Sequence, residues 1–151
     1  MGVALLDSGT VIGFLDADDR LHQAADAAMR AAAAEHVFAV SVVTVAELLT
    51  GAKLGHHDER TVRRFFAETV SRRMALDEPA AGRAAELRAA QKTLKMPDAL
   101  ILATADLNAD VVLTGDEQWL KVAGLNCDVR YIAAGASRRQ TGPTNASRVS
   151  R

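Results

Sequence analysis

Val3-Ala4-Leu5-Leu6-Asp7-Ser8-Gly9 is an unbroken apolar run that stops on an acid and a turn. The run is too short for the stripe of an amphipathic helix and does not alternate. It therefore reads as a strand, residues 3–7, buried on both faces of a sheet. Asp7 is the informative residue. A carboxylate at the end of a buried strand is costly to desolvate unless something there uses or neutralises its charge.

The same pattern recurs outward from this strand. Residues 37–41 and 111–114 are continuous apolar strands, the second ending in Gly115-Asp116, and 129–132 is a last short one. Residues 72–76 form a weaker strand. Helices fill the intervals. One follows the first strand to Leu15, and Asp16-Ala17-Asp18-Asp19 makes a turn and the cap of a second over 20–35. Others span 43–54, 56–70, 79–93 and 97–107, the last two opened by Pro79 and Pro97. A short helix over 116–122 completes the series. Strands alternating with helices predict an α/β fold with a parallel sheet covered on both faces.

With 151 residues and 49% hydrophobic content, the chain suits one domain with a sizeable core. Aromatics are only 4%, so aliphatic side chains must fill that core. Residues 1–134 are expected to form the domain and 135–151 a basic, disordered tail with Arg138, Arg139, Arg148, Arg151 and no acid. Setting those arginines aside leaves 19 acids against 14 bases, and an acidic body attracts cations rather than a polyanion. The lone Cys127 permits no internal disulfide and reads as a core residue. No basic segment precedes the first apolar run, which is too short to span a bilayer, so a cytoplasmic protein without a membrane partner is expected.

In open α/β sheets, ligands bind beyond the carboxyl ends of the strands where the strand order reverses. Asp7 and Asp116 stand at such ends. Glu47, early in the helix after the second strand, and Asp98, in the first turn opened by Pro97, are candidates to join them. Each alone has a plain structural explanation. Asp98 complements a helix dipole, Asp116 can cap a short helix, and Glu47 can be a solvated residue, although its apolar neighbours suggest partial enclosure. Together, unit charges about 4 Å apart repel by about 4 kcal/mol at an effective dielectric near 20. Such a cluster protonates or admits a divalent cation, and all-oxygen donors select a hard ion such as Mg²⁺ or Mn²⁺. Ser8 and Thr114 are placed to orient the carboxylates or to contact a phosphate. His22, His36, His56 and His57 fall in helical or loop stretches away from this group.

These residues resemble the PIN-domain family, and its VapC-like toxin branch in particular. The matching pieces are Leu5-Leu6-Asp7-Ser8, Thr44-Val45-Ala46-Glu47-Leu48, Met96-Pro97-Asp98-Ala99-Leu100-Ile101-Leu102-Ala103-Thr104-Ala105 and Leu113-Thr114-Gly115-Asp116. The third is the most specific. The resemblance implies a three-layer α/β/α sandwich around a short, mostly parallel five-stranded sheet. It implies an endoribonuclease with Mg²⁺ or Mn²⁺ held by Asp7, Glu47, Asp98 and Asp116. It also implies a homodimer, inhibited by a small antitoxin whose C-terminal segment crosses the active groove. Two positions depart from the pattern: Gly9 stands where the family often has a small polar residue, and Gly115 where it often has a basic one.

An RNA substrate calls for a basic rim, for which Arg63, Arg64, Arg72, Arg73, Lys92 and Lys95 are candidates. An apolar groove for the antitoxin is expected around Leu48, Leu49, Leu54, Phe65 and Phe66. Two other readings stand beside the nuclease. Leu5-Leu6-Asp7-Ser8-Gly9-Thr10-Val11 looks similar to the nucleophile motif of haloacid-dehalogenase-like phosphatases, with Asp7 as nucleophile, but Ser8 replaces that motif's second acid. A non-catalytic PIN-fold binding module would have no electrostatic reason to keep the acids together.

Overall fold

The computed structural model describes residues 1–135. The expected basic tail lies outside them, apart from Gly135. A five-stranded sheet runs in the order β3-β2-β1-β4-β5, and every neighbouring pair is parallel. The strands are β1 (Gly2–Leu6), β2 (His36–Ser41), β3 (Val70–Met74), β4 (Val111–Thr114) and β5 (Asp128–Tyr131). The helices are α1 (Ser8–Leu15), α2 (His22–Ala33), α3 (Val42–Lys53), α4 (Glu59–Glu68), α5 (Glu78–Ala90) and α6 (Met96–Asn108), with a 3₁₀ helix over Glu117–Lys121.

The three inner strands are apolar and buried, as short parallel strands covered on both faces must be. Side-chain alternation sorts the core into two layers. Ala4 and Leu6 face Val11, Met29, Leu48, Val62, Phe65 and Phe66 from α1 to α4. Leu5 faces Leu87, Ile101, Leu102 and Trp119 on the other side. The chain moves outward from β1 through β2 to β3, then crosses to β4 on the far side of β1. With crossovers of one hand, this reversal of direction puts α5 and α6 on the opposite face from α1 to α4. The point of reversal lies between β1 and β4, which places Asp7 and Asp116 together.

Several local expectations are corrected. The third strand is 70–74, not 72–76, and α4 begins at Glu59, not His56. Asp58 supplies its cap, with its carboxylate accepting from the Thr61 amide. The acidic turn before α2 does not cap it. Asp16 accepts from the Asp18 amide and Asp19 from the Leu21 amide, and Leu21 at the N-cap has no side-chain cap bond. Phe65 and Phe66 are both core residues, each 4% exposed, and Leu48 is buried with them. Among the described residues the two rings line no groove, and of the residues expected there only Leu48 does. The available groove instead runs between α1 and the α3–α4 corner, lined by Ile12, Leu15, Leu48, His57 and Val62.

Candidate active site

The site is built where β1 ends and α1 begins. Asp7 is the N-cap of α1, and its Oδ1 accepts from the Thr10 amide at 2.7 Å. Its Oδ2 accepts from the Thr114 hydroxyl, at the end of β4, at 2.6 Å. Thr114 in turn accepts from the Asp116 amide at 3.0 Å. One buried hydroxyl thus joins the ends of the two strands that flank the reversal. Ser8, the first residue of α1, donates to Glu47 Oε1 on α3 at 2.8 Å. Both hydroxyls singled out in the sequence therefore hold carboxylates.

Asp7, Glu47, Asp98 and Asp116 all line one open crevice of about 500 Å³, with Ser8, Gly9, Arg20, Leu21, Gly115, Glu117 and Tyr131. The electrostatics agree with this placement. The carboxyl of Asp98 is raised above the ordinary carboxylate range, first by burial and then by the charges of Asp116, Glu47 and Asp7, with Lys95 opposing. Three acids distant in sequence therefore act on one. Asp7 is also raised, by burial above all, although its hydrogen bonds to Thr114 and Thr10 pull the other way.

The structural roles considered for each acid are present as well. Asp116 Oδ1 accepts from the Gln118 amide and caps the 3₁₀ helix. Asp98 lies in the first turn of α6, where a negative charge is favoured. Glu47 is exposed and not enclosed by its apolar neighbours, because Val45 and Leu48 turn toward the core while it faces the crevice.

The donor set is oxygen only, and its charges repel one another, so it suits a hard divalent cation. Among the described residues, no three Asp, Glu, His or Cys side chains are set close enough to grip one ion. The hydrogen bonds explain the spread. Asp7 is turned onto Thr10 and Thr114, Glu47 onto Ser8 and Asp116 onto its own cap. Each of these oxygens has acceptor capacity beyond the one bond named.

Three residues escaped the sequence reading. Arg20 and Tyr131 line the crevice, while none of the six basic residues expected at its rim does so. Arg63 pairs with Glu59 at 3.6 Å, and Arg73 donates to the Phe66 carbonyl. Asp106, on the buried face of α6, accepts from Arg83 at 2.9 Å and from the amides of Asn126 and Cys127. It ties α5 and the segment entering β5 to α6. An acid at the end of the apolar run Ala99–Ala105 was its only sequence signal, since its partners are distant along the chain.

At Gly115, Leu21 packs over the position where a side chain would begin. A Cβ there would lie 2.5 Å from Leu21 Cδ1, so any side chain at this position requires the Leu21 side chain to turn away. At Gly9 the nearest atom a Cβ would meet is Asp7 Oδ1, at 3.8 Å.

A family model of the PIN domain matches residues 4–125. Among curated proteins no sequence matches. Among solved structures, a chain of a toxin-antitoxin complex from Klebsiella pneumoniae is 32% identical, with TM-score 0.61, over 75% of this chain and 86% of that one. A chain of VapBC2 from Rickettsia felis, bound to a promoter DNA fragment, is 15% identical with TM-score 0.69, over 85% and 98%. One of DNA-bound VapBC from Salmonella typhimurium is 21% identical with TM-score 0.67, over 88% and 100%. The last two show likeness of fold. Taken with the family match along most of its length and the Klebsiella relative, they leave one assignment: this chain belongs to the PIN domain family.

Proposed function

We propose that this protein is a metal-dependent endoribonuclease and the toxin of a toxin–antitoxin pair. The observation that carries the reading is the arrival of Asp7, Glu47, Asp98 and Asp116 in one crevice at the sheet's reversal point. Family membership supports nuclease chemistry, and the structural relatives come from toxin–antitoxin complexes.

Those four acids would hold Mg²⁺ or Mn²⁺, which supplies the positive charge that a phosphodiester needs there and makes water a stronger nucleophile near neutral pH. The protein's own part is orientation. Thr114 holds Asp7 and Ser8 holds Glu47, which fixes the orientation of two carboxylates along the crevice wall. Asp7 and Asp98, whose carboxyls are raised by burial, are the two that a bound cation would help to ionise. Attack by water on phosphorus leaves a 5′-phosphate and a 3′-hydroxyl.

The antitoxin occupies the groove between α1 and the α3–α4 corner with an apolar segment against Ile12, Leu15, Leu48 and Val62. Basic side chains of that partner reach the carboxylates, and the toxin assembles as a homodimer.

The test is cleavage of a single-stranded RNA pool with Mg²⁺ or Mn²⁺ and with EDTA, followed by analysis of product ends. The expected result is metal-dependent cutting with 5′-phosphate ends that is lost in Asp98→Asn. Cutting in EDTA, or 2′,3′-cyclic phosphate products, would overturn the mechanism. Coexpression with the adjacent small gene product tests the toxin role, and absence of both complex and growth rescue would contradict it.

A further inference from the structure

We infer that Arg20 and Tyr131 form a nucleotide subsite at the mouth of the acidic crevice, Tyr131 stacking on an unpaired base and Arg20 pairing with a neighbouring phosphate. This rests on the ribonuclease reading and specifies how the substrate is held.

The case begins with charge. The crevice is lined by Asp7, Glu47, Asp98, Asp116 and Glu117, a field that repels a polyanion and that a positive side chain at the rim offsets. Arg20 is the only cation and Tyr131 the only aromatic ring among the described residues that line it.

Both side chains are unengaged. Arg20 sits in a turn rich in acids, yet makes no ion pair or hydrogen bond to another described residue. Two of the three acids of that turn accept from backbone amides, Asp16 from Asp18 and Asp19 from Leu21, and the third, Asp18, makes no ion pair with Arg20. Arg30, Arg83 and Arg88 are held by Asp26, Asp106 and the Leu94 carbonyl. Arg64, Arg72 and Arg130 are as unengaged as Arg20, but of these arginines only Arg20 lines the crevice.

Tyr131 is 38% exposed, while the next residue, Ile132, is 4% exposed and packed in the core. Its ring is therefore not core filling. Its backbone is in register with Thr114, the residue that holds Asp7, and neighbouring strands lie about 4.8 Å apart. The Tyr131 backbone thus stands one strand from the residue that holds Asp7, and the residue lines the same crevice as the carboxylates. Exposed aromatic rings beside a cation are the usual means of gripping single-stranded RNA without reading a long sequence.

The experiment measures fluorescence anisotropy of a labelled single-stranded RNA 10-mer, and its cleavage, on the full chain in Mg²⁺. Tyr131→Ala should weaken binding roughly 5- to 100-fold, and Tyr131→Phe should restore it, because the ring and not the hydroxyl is used. Arg20→Gln should reduce the slope of log K against log salt by about 0.7, the value for one single-strand phosphate. In both Tyr131→Ala and Arg20→Gln, KM should rise while kcat stays within about twofold, since neither residue touches the reacting phosphate. A duplex of the same sequence should bind weakly and ignore Tyr131→Ala. Wild-type cleavage with unchanged affinity in both variants overturns the subsite and leaves the nuclease standing. Tyr131-dependent binding without cleavage by the wild type overturns the nuclease and keeps the subsite. Neither binding nor cleavage overturns both.

Discussion

Asp7 carries two duties that pull in opposite directions. As an N-cap it stabilises α1 through the Thr10 amide, and as a buried carboxylate it resists ionisation. Asn can cap as well as Asp, so Asp7→Asn keeps the first and removes the second. The metal-free variant should melt no lower than the wild type at pH 8, while RNA cleavage should fall by about 10²-fold or more. Differential scanning fluorimetry and a cleavage assay check both halves. Asp106 is the opposite case. Burial alone would raise its carboxyl, but Arg83 and the amides of Asn126 and Cys127 outweigh this and hold it below the ordinary range. Asp106→Ala should cost about 2–3 kcal/mol in urea unfolding, less than a fully buried pair because Arg83 keeps some contact with solvent. Burial, with the charges of Asp106 and Asp128 behind it, also pushes the Cys127 thiol up to about 11. Ellman's reagent at pH 8 should therefore leave it unreacted in the folded chain, and fast labelling would contradict the packing.

At the scale of elements, the inner strands and most helices were legible because burial on both faces leaves continuous apolar runs, as in Val3-Ala4-Leu5-Leu6 and Val111-Val112-Leu113. The edge strand was misplaced by two residues because Ser71, Arg72 and Arg73 are exposed and carry no such signal. The four acids were legible as strand ends and helix starts. Arg20 and Tyr131 were not, since a turn arginine and a strand-end tyrosine are ordinary until the fold sets them beside Asp116. Glu47 was placed correctly but judged more enclosed than it is, because its neighbours face inward while it faces out. Close contacts between elements were also invisible in one dimension. An added Cβ at Gly51 on α3 would lie 2.6 Å from His57 Cδ2, so Gly51→Ala should displace that ring and disturb the groove wall at the start of α4. The expected outcome is weakened antitoxin capture with cleavage intact, read by co-purification and by the RNA assay.

For the whole molecule, the raised acids and the lowered one set opposite responses to pH. Asp7 and Asp98 are raised in the fold, so the stability they contribute is complete below the unfolded value of about 3.9 and declines as pH rises through their folded values. Asp106 is lowered, so its contribution is present above that value and disappears as pH falls through its folded one. The Tm of metal-free protein should thus fall as pH rises from about 3.9 through the raised folded values of Asp7 and Asp98. Asp98→Asn should flatten that decline, and Asp106→Asn should leave it while flattening the loss in acid. A hard cation in the crevice should reverse the decline, because it binds only the ionised carboxylates. The central claim is that residues 7, 47, 98 and 116 act as one cation site, and Mn²⁺ binding followed by the electron paramagnetic resonance of the free ion tests it most directly. The wild type should take up Mn²⁺, and Asp7→Asn, Glu47→Gln, Asp98→Asn and Asp116→Asn should each weaken uptake at least tenfold with the fold intact. Equal uptake by the wild type and all four variants would contradict it.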